Sequence, residues 1–391
     1  MNVRRMVGRL IGAVLMLIVV GTATWYAQGA TALPHARVAG FMEGINTVAV
    51  DGYTGRVFLT DARADTVRVL VANTGALLRT VAVGQRPEGV AVDMRSNRVF
   101  IANAGGGTGA QGHVSVLDAA SGTMLRSVMV GSGPMAVTVD EATRRVFVLA
   151  GDGVSVLDAR TGALVRAVPL GLVSSPTVLV DARLGYAFVT SAAFNSFSQP
   201  IPGANAVTVL DAASGVPLRR LALRHGPIAV AVDERTGRLF SANFDGTVSM
   251  LDVNTGRVVR TTSLSPLSVG NAVAVDGRTG RVFVSDYNLL GSRGHISILD
   301  ARSGILLRTI AVGNEPTSVT VAESIGRVFT ISESGVTMLD ARTGRPLRTI
   351  RMRARALAVD EQTKHVFVSV DNGRRVGIID ASSGSGTLLT L

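Results

Sequence analysis

The chain contains no cysteine, which excludes disulfides, thiolate nucleophiles, Cys-ligated zinc, c-type haem attachment and a lipoprotein lipid anchor. Tryptophan occurs once, at Trp25, and lysine once, at Lys364, so nearly all of the 39 Lys+Arg residues are arginine. Aromatic residues make up only 4% of the chain against 47% hydrophobic residues. A core must therefore be built from Val, Leu, Ile and Ala, and the prominence of β-branched Val favours sheet over helix.

The formal charge of +11 is spread rather than concentrated. Arg4, Arg5 and Arg9 lie in an N-terminal segment without acids. Most other arginines recur at "TGR" turns and in "LLRT" segments, not along the single stripe that a nucleic-acid reader needs. No nucleic-acid partner is expected.

Those three arginines precede the unbroken apolar run Leu10–Val20, and no Arg, Lys, Asp or Glu follows until Arg37. This is the pattern of an export signal. Residues 1–30 read as a signal peptide or an N-terminal membrane anchor. "GTA" (Gly21–Ala23) and "AQG" (Ala27–Gly29) are both small-residue cleavage sites, while residues 10–27 match the ~17–25 residues of a spanning helix. Trp25 and Tyr26 would then sit at the outer interface. Either fate makes residues 31–391 extracytoplasmic, secreted or membrane-anchored, with membrane contact through residues 10–27 if the leader is retained.

The remainder repeats. "AVDERTGRLF" (Ala231–Phe240) returns as "AVDGYTGRVF" from Ala49, "AVDMRSNRVF" from Ala91, "TVDEATRRVF" from Thr138 and "AVDGRTGRVF" from Ala274. Eight units start at about 46, 88, 135, 177, 228, 271, 317 and 356, with the aspartate or its equivalent at Asp51, Asp93, Asp140, Asp181, Asp233, Asp276, Ala322 and Asp360. Each contains four short apolar segments, the signature of a propeller blade. The expected fold is all-β: a single β-propeller of eight four-stranded blades, or seven with one terminal unit displaced, preceded by the signal or anchor helix. The segment "ARVAGFMEG" (Ala36–Gly44) is similar to "TVAVGQRPEG" (Thr80–Gly89), so it is expected to supply an outer strand that closes the last blade.

The repeated residues read as carpentry. Asp-x-x-Thr-Gly reverses the chain between the first two strands, with the carboxylate bonding turn N–H groups and Gly taking a positive φ. "LDARTG" (Leu157–Gly162) and its equivalents do the same between the third and fourth strands. Phe58, Phe100, Phe147, Phe188, Phe240, Phe283, Phe329 and Phe367 hold one position per unit and are expected to pack between blades. Arg79, Arg126, Arg166, Arg260, Arg308 and Arg348 fall on the outermost strand, where a charge discourages edge-to-edge pairing.

"VFIANAGGGTGAQGHVSVLDAASGTMLRSVMVGSGP" (Val99–Pro134) and "LFSANFDGTVSMLDVNTG" (Leu239–Gly256) resemble the YVTN-type β-propeller repeat, in which an aromatic, a small residue and Asn end the second strand and "V-x-V-[IL]-D" follows. The resemblance covers about residues 35–391. Phe replaces the family's Tyr, and the Asn is kept only at Asn103 and Asn243. The resemblance implies a mixed set of envelope and surface-layer proteins, binding scaffolds, accessory domains and propeller lactonases.

In such a fold the loops between second and third strands, here called B–C loops, share one face with the links between blades. Three of them are enlarged, "NAGGGTGAQGH" (Asn103–His113), "SAAFNSFSQPIPGAN" (Ser191–Asn205) and "DYNLLGSRGH" (Asp286–His295), and binding residues collect in such loops. His113 and His295 occupy one slot in opposed units, too far apart for a metal pair unless the loops fold inward. Phe194 and Phe197 in the longest insert, and Tyr287, offer aromatic contacts. Arg351, Arg353 and Arg355, with Arg374 and Arg375 nearby, form the one charge cluster. In an extended chain "RMRARA" puts its guanidinium groups on one side, suited to carboxylate, sulfate or phosphate.

The expected function is a non-catalytic binding scaffold of the envelope or extracellular space, its partner an unidentified envelope or extracellular component with an anionic ligand as one candidate, and no cofactor or metal is expected. The alternative is a hydrolase or lyase of the lactonase kind, using carboxylates at the channel mouth such as Asp61, Asp65, Asp245, Asp286 and Glu333. Quinone-dependent eight-bladed dehydrogenases use tryptophan-rich blade contacts, and Trp25 lies outside the repeats.

Overall fold

The structure, a computed structural model, describes residues 37–39, 47–106, 110–170, 177–192, 204–265, 268–288, 291, 293–371 and 375–390. The leader, Phe194, Phe197 and Arg374 lie outside them.

Alternation of Val with small or polar residues gives each unit four antiparallel strands, A to D. In blade 1 these are Val48–Asp51, Arg56–Asp61, Thr66–Val71 and Leu77–Ala82. Eight such sheets follow in chain order, spanning 48–82, 87–132, 136–169, 178–222, 227–263, 268–314, 318–350 and 354–390. Strand side chains point alternately to the two faces of a sheet, and here each face packs on a neighbouring blade. Eight hydrophobic clusters form, one at each junction. The cluster joining Val48 and Val50 of blade 1 to Ala356, Ala358 and Phe367 of blade 8 closes the ring. This makes the propeller eight-bladed and excludes the seven-bladed alternative.

All eight repeat phenylalanines are fully buried. Each points at the following blade: Phe58 meets Val90 and Val92, and Phe147 meets Val178 and Val180. The turns follow the expected chemistry. Asp51 accepts the N–H groups of Tyr53 and Thr54 at 3.0 and 3.1 Å and the Thr54 hydroxyl at 2.5 Å. Asp211 accepts the N–H and hydroxyl of Ser214 at 2.8 and 2.6 Å.

Two expectations are corrected. The N-terminal segment does not supply the outer strand of the last blade. Arg37–Ala39 pairs antiparallel with Ala354–Asp360, strand A of blade 8, on the edge toward the central axis. The outer position is already taken by Gly386–Thr390, paired to Arg375–Asp380. Outer-strand arginines, in turn, do more than guard an edge. Arg126 donates to the carbonyl of Thr161 at 3.1 Å, Arg166 to Ser214 at 3.0 Å and Arg308 to Thr343 at 3.4 Å, each reaching the C–D turn of the next blade. A methyl group on Gly304 or Gly384 would lie 3.0 Å from the Cδ of Arg260 or Arg348. The turn glycine thus provides both the positive φ and clearance for the neighbour's arginine stem.

Candidate functional site

Strand A starts beside the end of strand B in every blade, so among the described residues the strand ends that border the links and the B–C loops share one end of the ring. His113 and His295 occupy equivalent registers there, opposite Asn103 and Asp286 respectively. They sit on opposed blades, 2 and 6, as the repeat spacing implies. Tyr287 pairs in register with Gly294 and is half-buried near the same end of blade 6.

The arginine cluster divides. The link between blades 7 and 8 is not extended: it bends at Met352, and the N–H of Ala354 donates to the carbonyl of Met352 at 2.9 Å. Arg351 and Arg353 are exposed on one wall of an open groove of about 810 Å³, between the end of blade 6 and the outer strands of blade 7. Arg355 lies beyond the bend, at a β-bulge in strand A of blade 8, half-buried and outside that lining. Arg375 is engaged by the carboxylate of Asp371 across its own loop. The expectation of guanidinium groups sharing one side therefore holds for Arg351 and Arg353 alone among the described members. Their groove also holds the Thr337 and Thr349 hydroxyls, 3.0 Å apart, and the exposed Glu333.

Carboxylates at this end have separate fates. Asp61 pairs with Arg68 at 3.0 Å. Asp65 accepts the N–H of Arg86 at 2.8 Å. Asp245 meets the imidazole of His225. Asp286 differs from all three, because its side chain is fully buried. It accepts the Ser297 hydroxyl at 2.9 Å and lies 3.5 Å from that of Ser265. Burial pushes its carboxyl up to about 6, against the opposing hydrogen bonds from Ser297 and Ser265. His295 Nδ1 stands 3.8 Å away with no hydrogen-bond partner. Burial, helped by the Arg293 charge, holds its imidazole below the ordinary histidine value.

Spacing alone did not single out Asp286. The signal was present in the repeat, since Asp286 stands where units 2 and 5 carry Asn103 and Asn243. Among the described residues no group of three or more His, Cys, Asp or Glu is arranged to hold a metal ion.

Residues 150–387 match the family PQQ_2, described as outer membrane protein assembly factor BamB. No curated protein matches the sequence. Similar solved structures include dihydro-heme d1 dehydrogenase NirN in complex with DHE, at 16% identity and TM-score 0.67, covering 86% of this chain and 73% of that one. The computationally designed Ika8 protein is similar at 18% identity and TM-score 0.63, covering 94% and 100%. Hydrazine synthase of Kuenenia stuttgartiensis is similar at 16% identity and TM-score 0.57, covering 73% and 92%. At these identities the likenesses show the propeller fold alone.

Proposed function

We propose, from the premise that this chain belongs to the PQQ_2 family of propeller repeat proteins, that it is an exported, non-catalytic binding scaffold of the cell envelope. Residues 1–30 direct export, as signal peptide or anchor, and residues 31–391 form the scaffold. The family's description as an outer membrane protein assembly factor fits an envelope location. The ligand-bearing surface is the B–C loop face, and the ligand is anionic.

One observation carries this reading. Arg351 and Arg353 stand exposed with no ion-pair partner among the described residues, beside two hydroxyls in an open groove. By contrast, Arg145, Arg238 and Arg327 pair with Asp158, Asp252 and Asp340 at 3.3, 2.6 and 3.5 Å. Guanidinium forks free of such duties match carboxylate, sulfate or phosphate oxygens.

The test is thermal stability of the full-length protein titrated with sulfate, phosphate and a polyaspartate peptide. A ligand at a hundred times its Kd stabilises the folded state by about 2.7 kcal/mol. The double variant Arg351→Ala with Arg353→Ala should lose that shift and keep its unliganded melting temperature. A shift that survives both substitutions rejects the groove as the site.

A further inference from the structure

Aligned by strand register, the blades carry a diagonal pair of positions near the B–C loop end, one closing strand B and one in strand C two residues beyond its register partner. In blade 2 the pair is Asn103 and Ser115, with the amide nitrogen 3.0 Å from the serine oxygen. In blade 5 it is Asn243 and Ser249, at 2.9 Å. In blade 1 it is Asp61 and Arg68, an acid compensated by a guanidinium at 3.0 Å. Blade 6 mixes the two solutions. It has the acid of blade 1, Asp286, and the serine of blades 2 and 5, Ser297, at 2.9 Å.

Asp286 therefore lacks the cation that its counterpart has, and unlike that counterpart it is wholly buried. A buried carboxylate without a charge partner is costly when ionised and tolerable when protonated. Its side chain shares a face with Val282 and Val284, which pack against blade 5. It thus lies at the junction of blades 5 and 6, under Ser265 of the link between them.

The ionisable groups on the surrounding elements are few. His295 and Arg293 lie on strand C of blade 6, and Arg308 on strand D. Asp276 and Arg281 sit at the opposite ends of strands A and B. Asp245, with His225 attached, is at the B–C turn of blade 5. None of the described groups gives Asp286 a cation at hydrogen-bond distance, the nearest nitrogen of this kind being His295 Nδ1 at 3.8 Å.

We infer that Asp286 makes the seam between blades 5 and 6 responsive to protons, closed when its carboxyl is protonated and loosened when it is ionised. The protonated acid reproduces the amide of Asn103 and Asn243, offering one donor and one acceptor in the same slot. Ionisation leaves a buried negative charge that is relieved when the Ser265 link loosens and water enters.

The sign follows from linkage. The carboxyl is raised from 3.8 in the unfolded chain to about 6 in the fold, so its contribution to stability is complete below 3.8 and is lost as pH rises through about 6. His295 acts in the opposite sense, because its lowered value costs stability as pH falls.

The experiment compares full-length wild type with Asp286→Asn, which installs the amide already used in blades 2 and 5. The difference in unfolding equilibrium between them should be small near pH ~3.5 and grow to roughly 100-fold in favour of the variant above pH ~6.5. His295→Gln, run in parallel, should leave that difference in place. Hydrogen exchange at neutral pH should slow in the variant across 268–274, 284–288 and 293–298, and stay unchanged across 48–58 of blade 1. A difference that does not depend on pH, a variant less stable throughout or unable to fold, or protection spread evenly around the ring would each overturn the inference.

Discussion

Glu141 of blade 3 accepts the backbone N–H of Met94 of blade 2 at 3.2 Å, across 47 residues of sequence. Glu323 does the same for Gly277 at 3.1 Å, and Glu361 for Ser324 at 3.0 Å. In the "VDE" of blades 3 and 8 the acidic pair thus divides its labour. The aspartate holds its own turn, and the glutamate ties that turn to the preceding blade. Replacing Glu141 by Ala should cost about 1 kcal/mol, the ordinary net worth of one such bond, while Gln should cost less. Urea unfolding of the two variants measures the difference.

Phe147 is fully buried against Val178 and Val180 of the next blade. Truncation to Ala removes the ring and leaves a cavity that two rigid sheets close poorly, so a loss of about 3–5 kcal/mol is expected. An unfolding midpoint within error of wild type would show that the ring is not needed at this junction.

Five A–B turns end on a glycine with positive φ, while Asn97, Arg144 and Lys364 take that slot in three others, at φ 55, 57 and 58°. A side chain there carries a left-handed strain of about 1–2 kcal/mol, partly offset by the freer unfolded chain that glycine brings. Arg144→Gly should therefore stabilise the protein by up to about 1 kcal/mol. Its carbonyl accepts the N–H of Ala159 and the side chain of Arg145, and glycine keeps that carbonyl. The readout is the calorimetric melting temperature.

The C–D turn carboxylates contribute to acid sensitivity. The Ser214 hydroxyl and then its N–H hold Asp211 below its ordinary value, and at Asp380 the leading cause is the N–H of Ser383. A depressed carboxyl contributes stability that is present above 3.8, its unfolded value, and lost as pH falls through the folded value. Ser214→Ala weakens this hold on Asp211. The gap between wild type and variant, measured by urea titration, should be full at about pH 7 and shrink as pH falls below 3.8.

Much of the molecule was legible before folding. Eight recurrences of one phenylalanine, each after a short strand-reversing turn that reads Asp-x-x-Thr-Gly in units 1, 5 and 6, specify eight repeat units, because period and turn chemistry are local properties. His113 and His295 proved equivalent for the same reason, since equal positions in a repeat fall on equal strand registers. The arginines were less legible. Arg351, Arg353 and Arg355 alternate evenly in sequence, yet a single bend at Met352 separates the third from the other two. Arg375 stands close to the cluster by repeat position, yet Asp371 engages it.

By itself the sequence determined the eight-fold repeat, the turn chemistry and the interblade aromatic ring, while the contact of blade 1 with blade 8 decided that all eight units enter one ring. Each of these depends on spacing within about fifty residues. Tertiary structure alone decided the rest. It placed Arg37–Ala39 on the inner edge of blade 8, because Gly386–Thr390 already fills the outer one. It laid the arginine stems across glycines of the next blade, and it buried Asp286 at a seam without the guanidinium that compensates Asp61. These are contacts between units, and burial at a junction depends on what the neighbouring sheet presents, which no single repeat encodes.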